Sequence, residues 1–301
     1  MLLKFKYLIA IPVFLVVCNL QLNISEAARK KLLTRTGGPV QTSLIVDGKT
    51  GKILHSHNQN VRVYPASLTK VMTLYMLFEA LEAGKFSLND KLHVSPNATR
   101  AHPSKLHLKA GEKISVREAI LALIVKSAND AAIVVAESIA GSEQKFAKLM
   151  NIRAKQLGMK NSFFTNASGW HHPAQKTTPI DLAKLSIAIK RDFPQYYGFF
   201  AKTSFKFKGK QINGHNRLTA NYPGAEGLKT GFTNPAGCNL ITVATRNGKT
   251  LVGVVTGSNK AIARDKKMAS LLDKHFGIKN DNLKTKKAPK SRIKLASNKE
   301  R

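Results

Sequence analysis

Along the chain the apolar positions change from the period of strands to that of helices and back again. Thr42-Ser43-Leu44-Ile45-Val46-Asp47 predicts a strand, Gly48-Lys49-Thr50-Gly51 a turn, and Lys52-Ile53-Leu54-His55-Ser56 the returning strand of a hairpin. Residues 65–84 predict a helix, with Pro65 suited to its start and Gly84 to its stop. Its apolar residues (Val71, Met72, Leu74, Met76, Leu77, Phe78 and Leu81) lie nearly all round, which marks a helix buried inside a domain. Residues 85–114, with Pro96, Pro103 and Gly111, read as irregular chain. Helices follow over 116–125, 130–140, 143–157 and 181–191, the first two separated by the polar break Lys126-Ser127-Ala128-Asn129.

From residue 202 the strand period returns. Residues 227–233, 238–245 and 250–256 predict three strands, joined by turns at Asn234-Pro235-Ala236-Gly237 and Asn247-Gly248, and a helix over 260–276 closes the domain. Strands, then helices, then antiparallel strands and a last helix predict an α+β fold whose first and last strands share one sheet with helices on its faces.

The 301 residues suffice for one large domain or two modest ones, and 43% hydrophobic content is enough to fill a core. Charge changes the picture more. The 49 Lys and Arg against 17 Asp and Glu leave a net +32, which implies a polyanionic neighbour: nucleic acid, an anionic membrane surface or an acidic envelope polymer. The first 27 residues choose among these. Lys4 and Lys6 precede an apolar run from Tyr7 to Val17, and Ser25-Glu26-Ala27 supplies small residues for cleavage after Ala27, so 1–27 reads as a secretory signal peptide. The run is short of the ~20 residues that span a bilayer, with retention as an anchor the alternative. Export to the periplasm or cell envelope argues against nucleic acid, as does the lack of aromatic–basic stacking platforms. It also leaves Cys238 alone once Cys18 departs, a small packed strand residue rather than half of a disulfide. Residues 28–39 read as a basic linker, 40–278 as the folded domain, and 279–301 as a disordered Lys/Arg-rich tail.

Three short strings carry candidate chemistry: Ser67-Leu-Thr-Lys70, Ser127-Ala-Asn129 and Lys229-Thr230-Gly231. Singly each is weak, because a basic chain repeats them by chance. Ser-x-x-Lys recurs at Ser142–Lys145 and in the tail at Ser291, Ser-x-Asn recurs at Ser56, and Lys-Thr-Gly recurs at Lys49. Context separates them. Lys49-Thr50-Gly51 has turn composition, and Ser142 after Gly141 suits a helix cap. Ser67 and Lys70, by contrast, share one face at the start of a buried helix. A buried lysine loses its charge readily, and a neutral amine beside a hydroxyl is a nucleophile–base pair. The plain alternative is a capping serine and a surface lysine. Ser127 and Asn129 interrupt buried helices, where polar side chains need partners; capping the helix that starts at Asp130 is their plain alternative. Lys229 and Thr230 offer a cation and a hydroxyl to a carboxylate, with Gly231 permitting close approach, unless this is only a solvent-facing edge strand.

In this order the three strings form the signature set of penicillin-binding proteins and serine β-lactamases. With Tyr-Pro-Ala-Ser67-Leu-Thr-Lys-Val-Met-Thr, Lys-Ser127-Ala-Asn-Asp-Ala-Ala, Asn166-Ala-Ser-Gly169 and Tyr-Pro-Gly-Ala-Glu-Gly-Leu-Lys229-Thr-Gly-Phe-Thr, the chain resembles the D-alanyl-D-alanine carboxypeptidase family of low-molecular-mass penicillin-binding proteins over 40–276. The resemblance implies the β-lactamase/penicillin-binding (DD-peptidase) fold, an antiparallel sheet of N- and C-terminal strands with helices and an all-helical insertion. It implies removal of the terminal D-alanine from peptidoglycan stem peptides through an acyl-enzyme on Ser67, with β-lactams as covalent inhibitors. Lys70 would then be the general base, and Ser127 the proton relay to the departing D-alanine. Asn129 would hold the substrate amide, and Lys229 and Thr230 the terminal carboxylate. Gly231 would let the substrate backbone approach, and the N–H groups of Ser67 and Phe232 would form the oxyanion hole. No metal or cofactor is implied, and an anionic envelope surface is the expected partner of the surplus charge.

The chain departs from the family at Phe232, where some members carry His, and at Gly169-Trp170-His171-His172 in place of Gly-Leu-Pro-Asp. Adjacent His171 and His172 point to opposite sides, which does not suit a metal site. No segment resembles the β-rich C-terminal domain or the amphipathic anchoring helix of some members; the basic tail stands there instead. A class A β-lactamase shares the three motifs but needs a glutamate for deacylation. None of Asp130, Glu137, Glu143, Asp181, Asp192 and Glu226 has the Glu-x-x-Leu-Asn context. A DD-endopeptidase on the same scaffold, or a non-catalytic basic envelope protein, would also fit these residues.

Overall fold

The computed structural model describes residues 38–278. The expected signal peptide, nearly all of the linker, the tail and the decoy at Ser291 lie outside the described residues.

The opening hairpin is β1 (Thr42–Asp47) and β2 (Ile53–His57), paired antiparallel with a bulge at Ile45/Val46. Oδ1 of Asp47 accepts from the backbone N–H of Lys49 and Thr50, at 3.0 and 2.8 Å, so Lys49-Thr50-Gly51 is a turn, as its composition predicts. The buried helix of 65–84 comes in two parts. A 3-10 turn, Ala66–Thr69, precedes α1 (Lys70–Glu82), and every residue of α1 from Lys70 to Leu81 is buried except Glu79. Ser67 therefore sits inside a 3-10 turn, and neither it nor Thr69 caps the helix with its side chain.

The stretch expected to be irregular holds β3 (Lys91–His93), α2 (Pro96–Thr99) and β4 (Lys113–Ser115). The capping box of Ser115 and Glu118 starts α3 (Val116–Leu121). The chain then widens into a π-helical turn, Ala122–Lys126, and stops at Ser127 in the left-handed conformation (φ 60°). Next come α4 (Asn129–Ala140), α5 (Glu143–Gln156), α6 (Pro179–Asp192) and α7 (Pro194–Tyr197). The hydroxyl of Ser142 caps α5 by accepting from the N–H of Lys145 at 3.2 Å, the structural role its context predicted. β5 (Ser204–Phe207) pairs with β6 (Lys210–Asn213), and α8 (Arg217–Asn221) leads back to the main sheet. The expected all-helical insertion thus also carries two small two-stranded sheets, β3–β4 and β5–β6.

The last strands are β7 (Ala225–Thr233), β8 (Gly237–Arg246) and β9 (Lys249–Ser258), followed by α9 (Ala261–Phe276). The antiparallel sheet has the order β2-β1-β9-β8-β7, so N- and C-terminal strands do share one sheet. Both its faces are covered. Leu44, Ile241, Val243, Val252 and Val254 join the core with the helices of the insertion, while Ile45, Leu240, Leu251 and Val255 pack with Met268 and Leu272 of α9. This double burial explains why the central strands read as continuous apolar runs. It leaves β7 as an edge, and β7 carries Lys229-Thr230-Gly231.

Candidate active site

The 3-10 turn, the break before α4 and the edge strand β7 converge. At Gly231 a Cβ would stand 3.1 Å from the backbone nitrogen of Ser67 and 3.1 Å from the carbonyl oxygen of Pro65, so glycine lets the strand lie directly against the serine turn. Ser67, Ser127, Thr230, Gly231 and Phe232 line one open cleft of about 550 Å³. Ser67 and Thr230 are part-buried, and Phe232 is exposed at its rim.

Lys70 is fully buried. Its Nζ donates to Oγ of Ser67 at 3.0 Å, to Oδ1 of Asn129 at 2.6 Å and to the carbonyl oxygen of Ser168 at 2.5 Å. Burial, and next the charge of Lys229, push its amine well below the ordinary lysine range, against the opposing pull of Asp130 and Glu143. The surface-lysine alternative therefore fails.

The capping alternative for Ser127 and Asn129 fails too. The N-cap of α4 is Ala128, which makes no side-chain bond. The amide of Asn129 donates to the carbonyls of His102 and Pro103, both at 2.9 Å. Both amide protons of Asn129 are thus used within the protein, and Oδ1, which accepts from Lys70, keeps a second lone pair for the expected contact with a substrate amide. Asp130, which the sequence left as a helix start, ties down the same loop by accepting from the N–H of Leu106 at 3.1 Å and of Leu108 at 3.2 Å.

Ser168 belongs to the turn that the sequence singled out as Asn166-Ala-Ser-Gly. Oδ1 of Asn166 accepts from the N–H of Gly169 at 2.8 Å, and the Thr73 hydroxyl of α1 donates to the carbonyl of Ala167 at 2.7 Å. Gly169 has φ +82°, and a Cβ on it would fall 1.9 Å from the carbonyl oxygen of Ala66. The turn is thus pressed onto the 3-10 segment that bears Ser67. Beside it Trp170 lies flat on His102, with centroids 4.0 Å apart and planes 9° apart.

Lys229 is not a solvent-facing residue of the edge strand. It is 2% exposed, its Nζ donates to the carbonyl of Thr230 at 2.9 Å, and burial followed by the charge of Arg264 pushes it down to about 7. It stands behind Thr230, while Arg264, Arg217 and His215 line the cleft itself. Sequence reasoning missed these three. Arg264 lies in the first turn of a helix that the apolar pattern marks only as amphipathic, yet it is 4% exposed and donates to the carbonyl of Asn239 at 3.1 Å. Cys238 is a buried free thiol on β8 that also borders the cleft. Among the described residues no group of three or more His, Cys, Asp or Glu could hold a metal ion; His171 packs edge-on against Tyr64.

A family model described as D-alanyl-D-alanine carboxypeptidase matches residues 39–260. The chain is 33% identical over 241 residues to the D-alanyl-D-alanine carboxypeptidase DacF of Bacillus subtilis, covering 78% of this chain and 62% of that protein. It is 34% identical over 239 residues to DacA of Escherichia coli, covering 77% and 59%. The chain thus spans about three fifths of the length of these curated relatives. Among solved structures, penicillin binding protein 5 from Haemophilus influenzae superposes with a TM-score of 0.76 at 33% identity, covering 80% of this chain and 72% of that one. Penicillin-binding protein D2 from Listeria monocytogenes, in its ampicillin-bound form, gives 0.72 at 30% identity, covering 78% and 96%.

Proposed function

We propose that this chain, which belongs to the D-alanyl-D-alanine carboxypeptidase family, removes the terminal D-alanine from peptidoglycan stem peptides through an acyl-enzyme on Ser67. The observation that carries the proposal is the set of partners around Lys70. A neutral amine has two N–H bonds and one lone pair. The oxygens of Asn129 and Ser168 can only accept, so they retain the two N–H bonds and turn the lone pair to Ser67. The Ser67 hydroxyl then donates to Lys70 across the 3.0 Å contact, and desolvation keeps the amine neutral enough to take the proton.

In this reading Oγ of Ser67 attacks the carbonyl of the penultimate residue as its proton passes to Lys70. The oxyanion is held by the N–H groups of Ser67 and Phe232, a reading supported by the close approach of Gly231, the neighbour of Phe232, to the Ser67 nitrogen. The C–N bond breaks, and the departing amine takes the proton from Lys70 through the hydroxyl of Ser127, which lines the same cleft. Water returns Ser67 and yields the shortened peptide. Thr230 and Arg264 face the terminal carboxylate from the cleft wall, and Lys229 adds positive potential from behind Thr230. β-Lactams would acylate the same serine. The penicillin-binding relative solved in an ampicillin-bound form supports this extension.

Export rests on residues 1–27 of the sequence, and the surplus charge fits an anionic envelope. Among the described residues no helix is long and apolar enough to cross a membrane. High salt should then release the protein from wall or membrane, and retention at high salt after deletion of 279–301 would refute the electrostatic tether.

Intact-protein mass spectrometry with benzylpenicillin tests the catalytic reading. A stable adduct that Ser67→Ala abolishes is the expected result. Absence of any adduct on folded protein would refute it, and rapid drug hydrolysis without accumulation would favour a β-lactamase.

A further inference from the structure

A second cleft, of about 280 Å³, has Asn129 in its wall together with Arg100, His102, Asn166, Ser168 and Trp170. It contains Glu143, the first residue of α5, which no motif singles out. The carboxylate of Glu143 is part-buried at the cleft wall, and its Oε1 accepts from the N–H of Ala167 at 3.0 Å. One residue further along this turn, the carbonyl of Ser168 is one of the two fixed acceptors of Lys70. Besides Lys70, four side chains hold the backbone of this turn: Gln175 on the Asn166 N–H, Thr73 on the Ala167 carbonyl, Asn166 on the Gly169 N–H and Glu143 on the Ala167 N–H. Of the four only Glu143 is charged.

We propose that Glu143 is a positioning residue for acylation: it fixes the turn that presents the Ser168 carbonyl to Lys70 and sets a negative charge behind that amine. The inference rests on the reading of Lys70 as the base of Ser67. A carboxylate is a strong acceptor for a backbone N–H, and a part-buried one is screened less than one in open water. The charged groups that face Lys70 are Lys229 of β7, Asp130 of α4 and Glu143 of α5. Lys229 opposes the protonated amine, and the two carboxylates favour it. Asp130, the stronger of the two pulls, is bonded to the backbone of Leu106 and Leu108, whereas Glu143 is the carboxylate bonded to the turn that touches Lys70. Glu143 is itself faced by Glu137 of α4, whose Oε1 accepts from Asn97 at 2.9 Å; burial, with the charge of Glu137 adding to it, raises the Glu143 carboxyl above its usual range.

The two contributions separate by substitution. In Glu143→Gln the side-chain oxygen can still accept from Ala167, but the charge is gone. In Glu143→Leu both are lost, and the Ala167 N–H is left buried without a partner. The decisive measurement is an NMR titration of the Lys70 side chain in protein labelled with ¹³C and ¹⁵N at lysine, assigned against Lys70→Met. It is accompanied by benzylpenicillin acylation rates across pH. In Glu143→Gln the Lys70 titration and the acid limb of acylation move together to lower pH, because removing a negative neighbour favours the neutral amine. In Glu143→Leu the acid limb makes the same move, and the plateau rate of acylation above it falls about tenfold, the penalty of an orphaned buried donor expressed as rate.

An unchanged Lys70 midpoint in Glu143→Gln overturns the proposal, as does a Glu143→Leu protein that acylates like wild type. If Glu143→Leu fails to fold, the Gln variant still decides. If wild type forms no adduct at all, the carboxypeptidase reading fails, and the Lys70 titration still decides what Glu143 does.

Discussion

Asn129 and Lys70 are joined by a 2.6 Å hydrogen bond from the lysine amine to Oδ1, and the amide end of the same Asn129 is held by the carbonyls of His102 and Pro103. The asparagine is thereby a bridge. It fixes one end of the 102–108 loop and, through Oδ1, the direction of the Lys70 lone pair. Asn129→Ala leaves two loop carbonyls without their donor and Lys70 with one acceptor fewer. Acylation by benzylpenicillin is expected to fall about 10- to 100-fold, and stability to drop by about 1–3 kcal/mol, the cost of unsatisfied buried partners. Asn129→Asp supplies the acceptor but adds a negative charge beside the amine, so its acid limb of acylation should move to higher pH. Stopped-flow acylation from acid to alkaline pH checks both. A wild-type profile in Asn129→Asp would mean that Lys70 is not the titrating base.

Lys229 gives a second, oppositely signed dependence on pH. Its amine sits at about 7 in place of the ordinary 10.5, so the cation that favours a carboxylate ligand fades as pH rises past neutrality. An incoming carboxylate restores the charge by drawing a proton in with it. The KM for a peptide ending in a free carboxylate should therefore rise between about pH 7 and 9, while a carboxamide-capped analogue shows no such rise. Lys229→Met should bind the free acid weakly throughout and lose the slope. Stability follows the same group. Between its folded value near 7 and its unfolded value near 10.5 the unfolded chain binds the extra proton, so stability climbs with pH in that window, and Lys229→Met removes the climb.

The close packing at Gly169 is directly testable. Its φ of +82° and the 1.9 Å approach that a Cβ would make to the Ala66 carbonyl leave an alanine no place without moving the 3-10 turn or the Ser168 carbonyl. Gly169→Ala is expected to cost about 3 kcal/mol or more, a fall in Tm of roughly 6–12 °C for a domain of this size, and to slow acylation as well, because both ends of the Ser67–Lys70 pair are displaced. Calorimetry with adduct formation measures the two effects on one sample.

How far the site was legible in the sequence follows from how each residue is held. Ser67, Lys70, Ser127 and Asn129 stood out because polar residues interrupted apolar runs, and burial of Lys70 could be foreseen from a helix with no polar face. The five-stranded sheet was legible for the same reason, since strands buried on both faces leave long apolar runs. The short strands β3 to β6, of three or four residues, carry too few alternations to show a period. Glu143, Arg264 and the satisfied amide of Asn129 were illegible, because each depends on which loop a distant segment lays beside it. Glu143 looked like an ordinary first-turn helix glutamate, and Arg264 like one more cation in a chain with 49 of them.

Trp170 stands where the family pattern would place a smaller apolar residue, and its stack on His102 links the loop tied by Asn129 to the turn that carries Ser168. Asn129 and that turn supply Lys70 with its two acceptors, so the ring contact ties the loop bonded to one of them to the turn that carries the other. The contact is worth about 1 kcal/mol, and Trp170 is 38% exposed, so Trp170→Ala should leave Tm nearly unchanged. If the tie positions Lys70, kcat should fall about fivefold with KM little altered, and Trp170→Phe should restore most of it because an aromatic face remains for His102. If the ring serves instead as a wall for substrate, KM should rise with kcat constant, and the loss should depend on the size of the acyl group. Steady-state kinetics with a short and a long stem peptide separates the two, and a variant indistinguishable from wild type on both would show that neither loop needs the stack.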